Sequence, residues 1–256
     1  MKLHNSAKPS RLFQKLKCLL DVVYGKMEIV GMENLPESNT IIVANHCQMN
    51  GPICAELYMP KNCYIWCAGQ MMNVKEAPKY AFSDFWSQKP KWTHPFYRLL
   101  SYLITPLAIF IFRNARTIPV YRDMRIMSTF RETLTKLSQG ANIVIFPEKD
   151  EKHNNILYKF QENFIDIARL YYKKSDIPLT FVPMYIAPKL RKAYIGTGIT
   201  FDPSQSTAEE KSRICTYLSD TITTIARDLP PHTVVPYRNI PKKYYLSNKD
   251  ITEVPR

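Results

Sequence analysis

Short runs of apolar residues recur along this chain, and each run ends near a polar residue, a glycine or a proline. The clearest runs are Ile41–Ala44, Tyr64–Ala68, Asn142–Phe146 and Leu179–Ile186. Amphipathic stretches separate them, so the pattern predicts buried strands that alternate with helices. The expected fold is α/β, with a mostly parallel or mixed central sheet flanked by helices. In such sheets ligands bind beyond the strand ends, which makes the residues after each run the candidate site residues.

The remaining elements follow from periodicity and from turn residues. We expect further strands over residues 27–31, 117–122 and 193–199, and helices over residues 53–59, 124–137, 157–173 and 207–228. Thr207 is the expected start of the last helix, with Glu210 as its capping-box partner.

Three segments are expected along the chain. Residues 1–26 form an amphipathic, membrane-associating helix, residues 27–229 form the α/β domain, and residues 230–256 form a basic Pro/Tyr-rich tail that is extended or partly disordered. The apolar face of the first helix carries Leu12, Phe13, Leu16, Leu19, Leu20 and Val23. That face suits either an anionic lipid surface or the protein's own core.

The formal net charge of +13 indicates an anionic partner. The chain has no GxGxxG or GxxxxGK[ST] motif and no continuous Lys/Arg block, which argues against a dinucleotide cofactor, a P-loop and nucleic-acid binding. Positive charges are instead interleaved with Tyr and Phe, as at a membrane interface. We therefore expect an anionic membrane surface as a partner, and no nucleic acid.

Two further features bear on location. The N-terminal residues do not show the pattern of a secretory leader, so the six cysteines are expected to be free thiols in a reducing compartment. Cys63 and Cys67 lack the second ligand pair of a zinc site. The apolar stretch Leu99–Phe112 has 14 residues and contains Pro106, fewer than the roughly 20 of a membrane span. It predicts a buried or re-entrant helix, and a protein held peripherally or shallowly at the cytoplasmic face of a membrane.

His46 follows directly on the run Ile41–Ala44, with Asn45 between them. A histidine at the end of a buried strand is held by a rigid element and is open on one side, which suits a general base. Cys47 is adjacent, but neighbouring residues on an extended chain point to opposite faces, which argues against a Cys-His nucleophile pair.

Four blocks in order resemble those of the glycerolipid acyltransferase family, typified by the 1-acylglycerol-3-phosphate (lysophosphatidate) acyltransferases. They are Asn45-His46, Ile118-Pro119-Val120-Tyr121-Arg122, Phe146-Pro147-Glu148 and Val182-Pro183. The resemblance spans about residues 25 to 200. It implies transfer of a fatty acyl group from acyl-CoA or acyl carrier protein to the hydroxyl of a lysophospholipid, with no metal and no other cofactor.

The resemblance also implies roles for individual residues. His46 is the general base, Arg122 binds an acceptor phosphate, Glu148 positions the acceptor or neighbouring backbone, and Pro183 shapes the oxyanion or acyl end of the site. The sequence departs from the family at Gly51, which stands where the family has aspartate, at Arg116, which replaces a glycine, and at 149–152, which replace the glycine and arginine of the third block. Lys149 or Lys152 is then expected to supply the missing positive charge.

Gly51 is the most consequential departure, because a carboxylate normally holds the histidine tautomer and stabilises the imidazolium. Loss of such a partner costs about four orders of magnitude in rate in the serine proteases. The replacement is expected either from a carboxylate elsewhere, at Asp84, Glu148 or Asp150, or from the amide oxygen of Asn50. The alternative is a catalytically impaired relative that binds lipid or acyl-CoA.

Overall fold

The computed structural model describes residues 10–121, 123–149, 156–237 and 239–251. These residues form two compact units. The first contains residues 10–25 and 65–132, and the second contains residues 26–64 and 133–251. The three-segment organisation expected from the sequence is not tested by this division and stays a prediction.

The helices and strands alternate along the described residues. The α-helices are α1 Arg11–Tyr24, α2 Asn50–Tyr58, α3 Ala77–Ala81, α4 His94–Asn114, α5 Ile126–Ser138, α6 Asp166–Ser175 and α7 Thr207–Asp228. The strands are β1 Glu28–Val30, β2 Thr40–Ala44, β3 Cys63–Ala68, β4 Thr117–Val120, β5 Asn142–Ile145, β6 Thr180–Ala187, β7 Lys192–Ile195 and β8 Ile199–Thr200.

The second unit is built on a mixed sheet with the order β1-β7-β6-β2-β5, and β8 pairs with β6. Strand β2 is parallel to both of its neighbours, β5 and β6, whereas β6 is antiparallel to β7 and β8. Every residue of β2 and β5 is buried. The expected α/β fold with a mixed central sheet is confirmed, and the strands with the most continuous apolar runs form its centre.

Helix α7 flanks this sheet and packs against β6 through residues spaced four apart, among them Ile214, Leu218 and Ile222. Its predicted span of residues 207–228 is confirmed, but the predicted cap is wrong by one residue. The Ser206 side chain accepts from the Glu209 backbone N–H, and the Glu209 carboxylate accepts from the Ser206 backbone N–H. The Glu210 carboxylate is instead buried against Arg213, with both bonds shorter than 3 Å.

Two other expectations for the second unit are corrected. The helix expected from residue 157 begins at Asp166, because the residues before it form a bridge from Phe160 to Glu148 and a 3-10 turn at Glu162–Ile165. The tail is not an extended appendage over its described residues, since His232, Val234, Asn248 and Ile251 are buried.

The first unit pairs the end of β3 with β4 and packs α4 against α3. Helix α1 meets α4 where the rings of Phe13 and Phe110 lie 6.5 Å apart, and the backbone N–H of Ser10 donates to Asn114. Only Phe13 of α1 is buried.

Helix α4 is mostly exposed, so of the two expectations for this stretch, a buried or a re-entrant helix, the first is wrong. Its inner face carries Ser101, Thr105 and Ile109, while its outer face exposes Phe96, Leu99, Tyr102, Leu103 and Leu107. By length and composition alone, Lys91–Asn114 is apolar enough to cross a membrane. We call the exposed apolar side chains of these two helices the α1–α4 apolar surface; besides the five on α4, its members are Leu12, Leu19, Val22 and Val23.

Candidate active site

His46 lies just beyond the carboxyl end of β2, the strand held between β5 and β6. Asn45, the residue before it, is buried and makes a paired amide contact with β6. Its Nδ2 donates to the carbonyl oxygen of Ile186 at 3.1 Å, and its Oδ1 accepts from the N–H of Ile186 at 2.7 Å. The side chain of Asn45 thus continues the hydrogen bonding between β2 and β6, and it fixes the position of the backbone from which His46 extends.

The turn after His46 is tight and uses unusual backbone angles. Cys47 and Gln48 both have positive φ, at 38° and 58°, a region that non-glycine residues seldom occupy. The chain then enters α2 at once, with the Gly51 N–H donating to the carbonyl of His46 at 3.2 Å. The turn brings the amino end of a helix close to the candidate base.

Asn50 stabilises this turn. Its side-chain amide donates to the carbonyl oxygen of Cys47 at 2.9 Å. The buried Nδ1 of His46 has no hydrogen-bond partner among the described residues. The amide oxygen of Asn50 therefore does not bond to that nitrogen, and its expected role in orienting the ring stays a prediction.

Glu148 contacts the backbone of His46 rather than its ring. Its carboxylate is 2% exposed, and it accepts from the His46 N–H at 2.5 Å and from the Tyr158 N–H at 2.9 Å. Charged acceptors on backbone N–H groups make strong hydrogen bonds. Of the two roles implied by the resemblance, this geometry matches the positioning of neighbouring backbone.

Two aromatic rings surround the imidazole of His46. Phe146 meets it edge-on with centroids 5.4 Å apart, and Tyr237 lies at 5.0 Å with an interplanar angle of 57°. Burial lowers the pKa of His46 from 6.5 to about 4 because the charged form loses its hydration. The ring is therefore neutral at physiological pH and able to accept a proton.

Gly51 occupies a position that has no space for a side chain. A Cβ atom there would lie 2.5 Å from the carbonyl oxygen of His46 and 2.8 Å from Cε1 of Phe146. The ring of Phe146 thus fills the region that a side chain at position 51 would enter. Glycine at position 51, where the family that the sequence resembles has aspartate, is therefore required by the packing of Phe146 and the His46 backbone.

Cys47 is buried next to the site, and its Sγ lies 3.7 Å from the carbonyl oxygen of Asn45. Burial, Cys54 and Glu148 raise the pKa of the Cys47 thiol well above its usual range. A thiol in that environment stays protonated and is a poor nucleophile. The conclusion against covalent catalysis therefore rests on burial of the thiol, and not on the extended chain expected from the sequence, since Cys47 has positive φ.

The other candidate residues lie in three places. Pro183 is buried in β6, paired with Val43, and its carbonyl accepts from the N–H of Gly196. Lys149 is exposed and its N–H donates to the carbonyl of Lys159. Arg122, Asp150 and Lys152 lie outside the described residues.

Asp84 and Arg116 belong to the first unit. Asp84 lies in the short π-helix Phe82–Trp86, and Arg116 immediately precedes β4. In the same unit, Asp123 bonds to Arg125 at 2.7 Å, and Arg125 also contacts Glu76 and stands over the ring of Tyr121.

Sequence reasoning missed Phe146 and Tyr237 as ring neighbours of His46. Phe146 belongs to a motif block but was read only as the end of a strand. No local pattern singles out Tyr237, because its contact with His46 joins residues that are far apart in the sequence.

Comparisons with known proteins give a structural likeness but no sequence match. No protein-family model matches the chain, and no curated protein matches its sequence. Among solved structures, the chain is similar to the crystal structure of the 1-acyl-sn-glycerophosphate (LPA) acyltransferase PlsC from Thermotoga maritima, with 16% identity and a TM-score of 0.45. The match covers 85% of this chain and 80% of that chain. At this level of similarity the match does not identify the function.

Acid should destabilise the wild type more than a His46→Gln variant. Because the pKa of His46 is about 4 when folded and 6.5 in the reference state, only the unfolded chain binds a proton between these values. The stabilisation from His46 is complete above pH 6.5 and is lost as pH falls through about 4. The loss is about 3 kcal/mol, measured by urea unfolding at both ends of this range. Identical pH dependence in both proteins would contradict a buried neutral imidazole.

Gly51→Asp should destabilise the protein rather than restore a catalytic pair. The added Cβ must displace the His46 carbonyl or the Phe146 ring, and overpacking of this kind costs about 1–3 kcal/mol. Gly51→Ala isolates the effect of the Cβ and should lose nearly as much in urea unfolding. A Gly51→Asp protein as stable as the wild type would show that the site tolerates the carboxylate.

Proposed function

We propose that this chain is an O-acyltransferase that moves a fatty acyl group from acyl-CoA or acyl carrier protein to the hydroxyl of a lysophospholipid-type acceptor, with His46 as general base. The main support is the convergence of three motif blocks that are far apart in sequence. Asn45-His46, Phe146-Pro147-Glu148 and Val182-Pro183 belong to the neighbouring strands β2, β5 and β6 or to their carboxyl ends. Within them, Glu148 bonds directly to the backbone of His46.

The chemistry needs a neutral base beside the acceptor hydroxyl. As His46 removes the hydroxyl proton, the acceptor oxygen bonds to the thioester carbonyl carbon. The carbon–sulfur bond then breaks, and the imidazolium returns its proton to the departing thiolate. The pKa of about 4 keeps the base form populated, but it also makes His46 a weak base, and the transient imidazolium lacks a nearby carboxylate at Nδ1 among the described residues.

This last observation supports a second candidate function, a non-catalytic protein that binds lipid or acyl-CoA. In the Ser-His-Asp template the carboxylate on the histidine fixes the reactive tautomer. Here the described residues offer no partner to Nδ1, and Gly51 has no room for one. The two candidates share their ligands and differ in turnover.

The positive charge for an acceptor phosphate is proposed to come from Arg122 and Lys149. Arg122 matches the family block by sequence, and a guanidinium can bind phosphate through two parallel hydrogen bonds. Lys149 is exposed and follows the buried Glu148 in sequence, and it is proposed as a second source of positive charge. Pro183 is proposed to shape the oxyanion or acyl end of the site.

Membrane association is proposed to occur through the α1–α4 apolar surface. Helix α4 buries Ser101, Thr105 and Ile109 and exposes large apolar side chains on its other face, which is unusual for a helix that faces water. One packed face favours a helix lying in the interface over a span surrounded by lipid. The net charge of +13 favours an anionic surface, at the cytoplasmic face of the membrane.

Transfer activity that depends on His46 is the decisive expectation. Purified protein is supplied with labelled acyl-CoA or acyl carrier protein and a panel of lysolipids, in detergent and in liposomes. His46→Ala should lower turnover by about 100-fold or more, the usual contribution of a general base, while lipid binding survives. His94→Ala, a histidine in the first unit, is the matched control and should retain activity. Equal background turnover in wild type and His46→Ala, with lipid binding intact, would favour the binding protein.

Liposome flotation tests the membrane proposal. The double variant Leu99→Asp/Leu103→Asp should bind anionic vesicles at least about tenfold more weakly, because it places charges in the apolar interface. These side chains are 61% and 68% exposed, so the substitutions disturb little packing. Leu170→Asp, an exposed leucine of the second unit, is the control and should bind as the wild type does. Unchanged flotation of the double variant would exclude this surface.

A further inference from the structure

The described part of the C-terminal segment, residues 230–237 and 239–251, lies against the candidate site. We call it the C-terminal strap. Tyr237 of the strap places its ring 5.0 Å from the imidazole of His46, and the ring of Tyr158 lies 6.1 Å from Tyr237. The ring of Tyr237 therefore lies close to both the candidate base and the buried Tyr158.

Buried hydrogen bonds hold one end of the strap. The Nδ1 of His232 lies 2.8 Å from the carbonyl of Pro230 and its Nε2 lies 2.9 Å from the hydroxyl of Tyr185. Since a carbonyl only accepts, Nδ1 carries the proton and the neutral ring accepts from Tyr185 through Nε2. Tyr185 belongs to β6, so the strap is tied to the central sheet.

The other end of the strap is fixed as firmly. Asn248 accepts from the N–H of His232 at 2.9 Å and donates to the carbonyl of Ala226 at 2.8 Å. The N–H of Val234 donates to the carbonyl of Leu246, which closes the strap into a loop. Tyr237 lies between two pinned ends, so its position is set by the fold.

A further contact joins the strap to the turn that carries the base. The hydroxyl of Tyr245 accepts from Nε2 of Gln48 at 2.8 Å. Gln48 is one of the two residues with positive φ just after His46. The strap therefore contacts the ring of His46 through Tyr237 and the following turn through Tyr245.

We propose that Tyr237 is a positioning residue that, with Phe146, sets the orientation of the His46 imidazole in place of the missing carboxylate. We call the rings of Phe146 and Tyr237 the aromatic clamp. A catalytic role for the clamp rests on the proposed function, whereas its effect on the orientation of the imidazole does not. Two rings at 57° and 75° to the imidazole leave it few orientations that avoid overlap. A carboxylate would both orient and charge-stabilise the ring, whereas the aromatic clamp only orients it.

The titratable groups around the ring belong to several elements. Glu148 bonds to the His46 backbone, Cys47 follows His46 in the turn, and Tyr237 and Tyr158 flank the ring. None of these places an anionic oxygen on the buried Nδ1. The clamp therefore predicts that removing Tyr237 admits water to the imidazole and makes it easier to protonate.

Histidine NMR on the full chain tests the clamp without needing activity. The His46 resonance is assigned by its absence in His46→Gln and then titrated. In wild type and Tyr237→Phe the pKa should lie well below 6.5, while in Tyr237→Ala and Tyr237→Leu it should move toward 6.5. Tyr244→Ala, an exposed tyrosine of the same strap, should leave it unchanged. An unchanged His46 pKa in folded Tyr237→Ala and Tyr237→Leu would overturn the proposal.

Kinetics then separate positioning from other roles. With the acceptor that the wild type uses, Tyr237→Ala and Tyr237→Leu should lower kcat by about tenfold, with KM little changed. Tyr237→Phe keeps the ring and should restore most of the rate. A variant that turns over faster than the wild type would identify Tyr237 as an inhibitory cover and contradict a positioning role. If the wild type shows no transfer, the proposed function fails, and the titration still decides the clamp.

Discussion

The site depends on one buried carboxylate. Glu148 leaves the end of β5 and accepts hydrogen bonds from the backbone of His46, beyond β2, and from the backbone of Tyr158. A carboxylate with so little exposure is stable only when its oxygens are satisfied, so this contact holds three stretches of chain together. Asn45 does the same toward β6 through its side-chain amide. Both residues bond to backbone groups, so the position of the His46 backbone does not depend on contacts of its ring.

The surroundings of the ring are the main chemical peculiarity of this protein. Phe146 and Tyr237 are the ring neighbours of His46, and Phe146 also occupies the space beside Gly51. The result is an imidazole with a well-defined place and a low basicity. On the proposed function, an acceptor would therefore meet a neutral, desolvated imidazole.

The central architecture was predictable from sequence because its causes are local. The apolar runs of β2, β5 and β6, and the period of α7, identify those elements within a residue or two. Predictions failed where long-range contacts decide. Helix α6 begins later in the sequence than expected because Phe160 pairs with Glu148. The exposed face of α4 depends on which elements pack against the helix. Tyr237 contacts His46 from a distant part of the chain. The candidate base was identifiable from its motif, but its ring neighbours were not.

The C-terminal strap also has a consequence for the order of biosynthesis. The pins at His232 and Asn248 are among the last described residues to leave the ribosome, whereas the sheet that carries His46 needs nothing beyond α7 for its own strands. The contacts that cover the imidazole can therefore form only after the strands of the sheet have been synthesised. Tyr237, a ring neighbour of His46, thus comes to the site from a part of the chain that is made after every strand of the sheet.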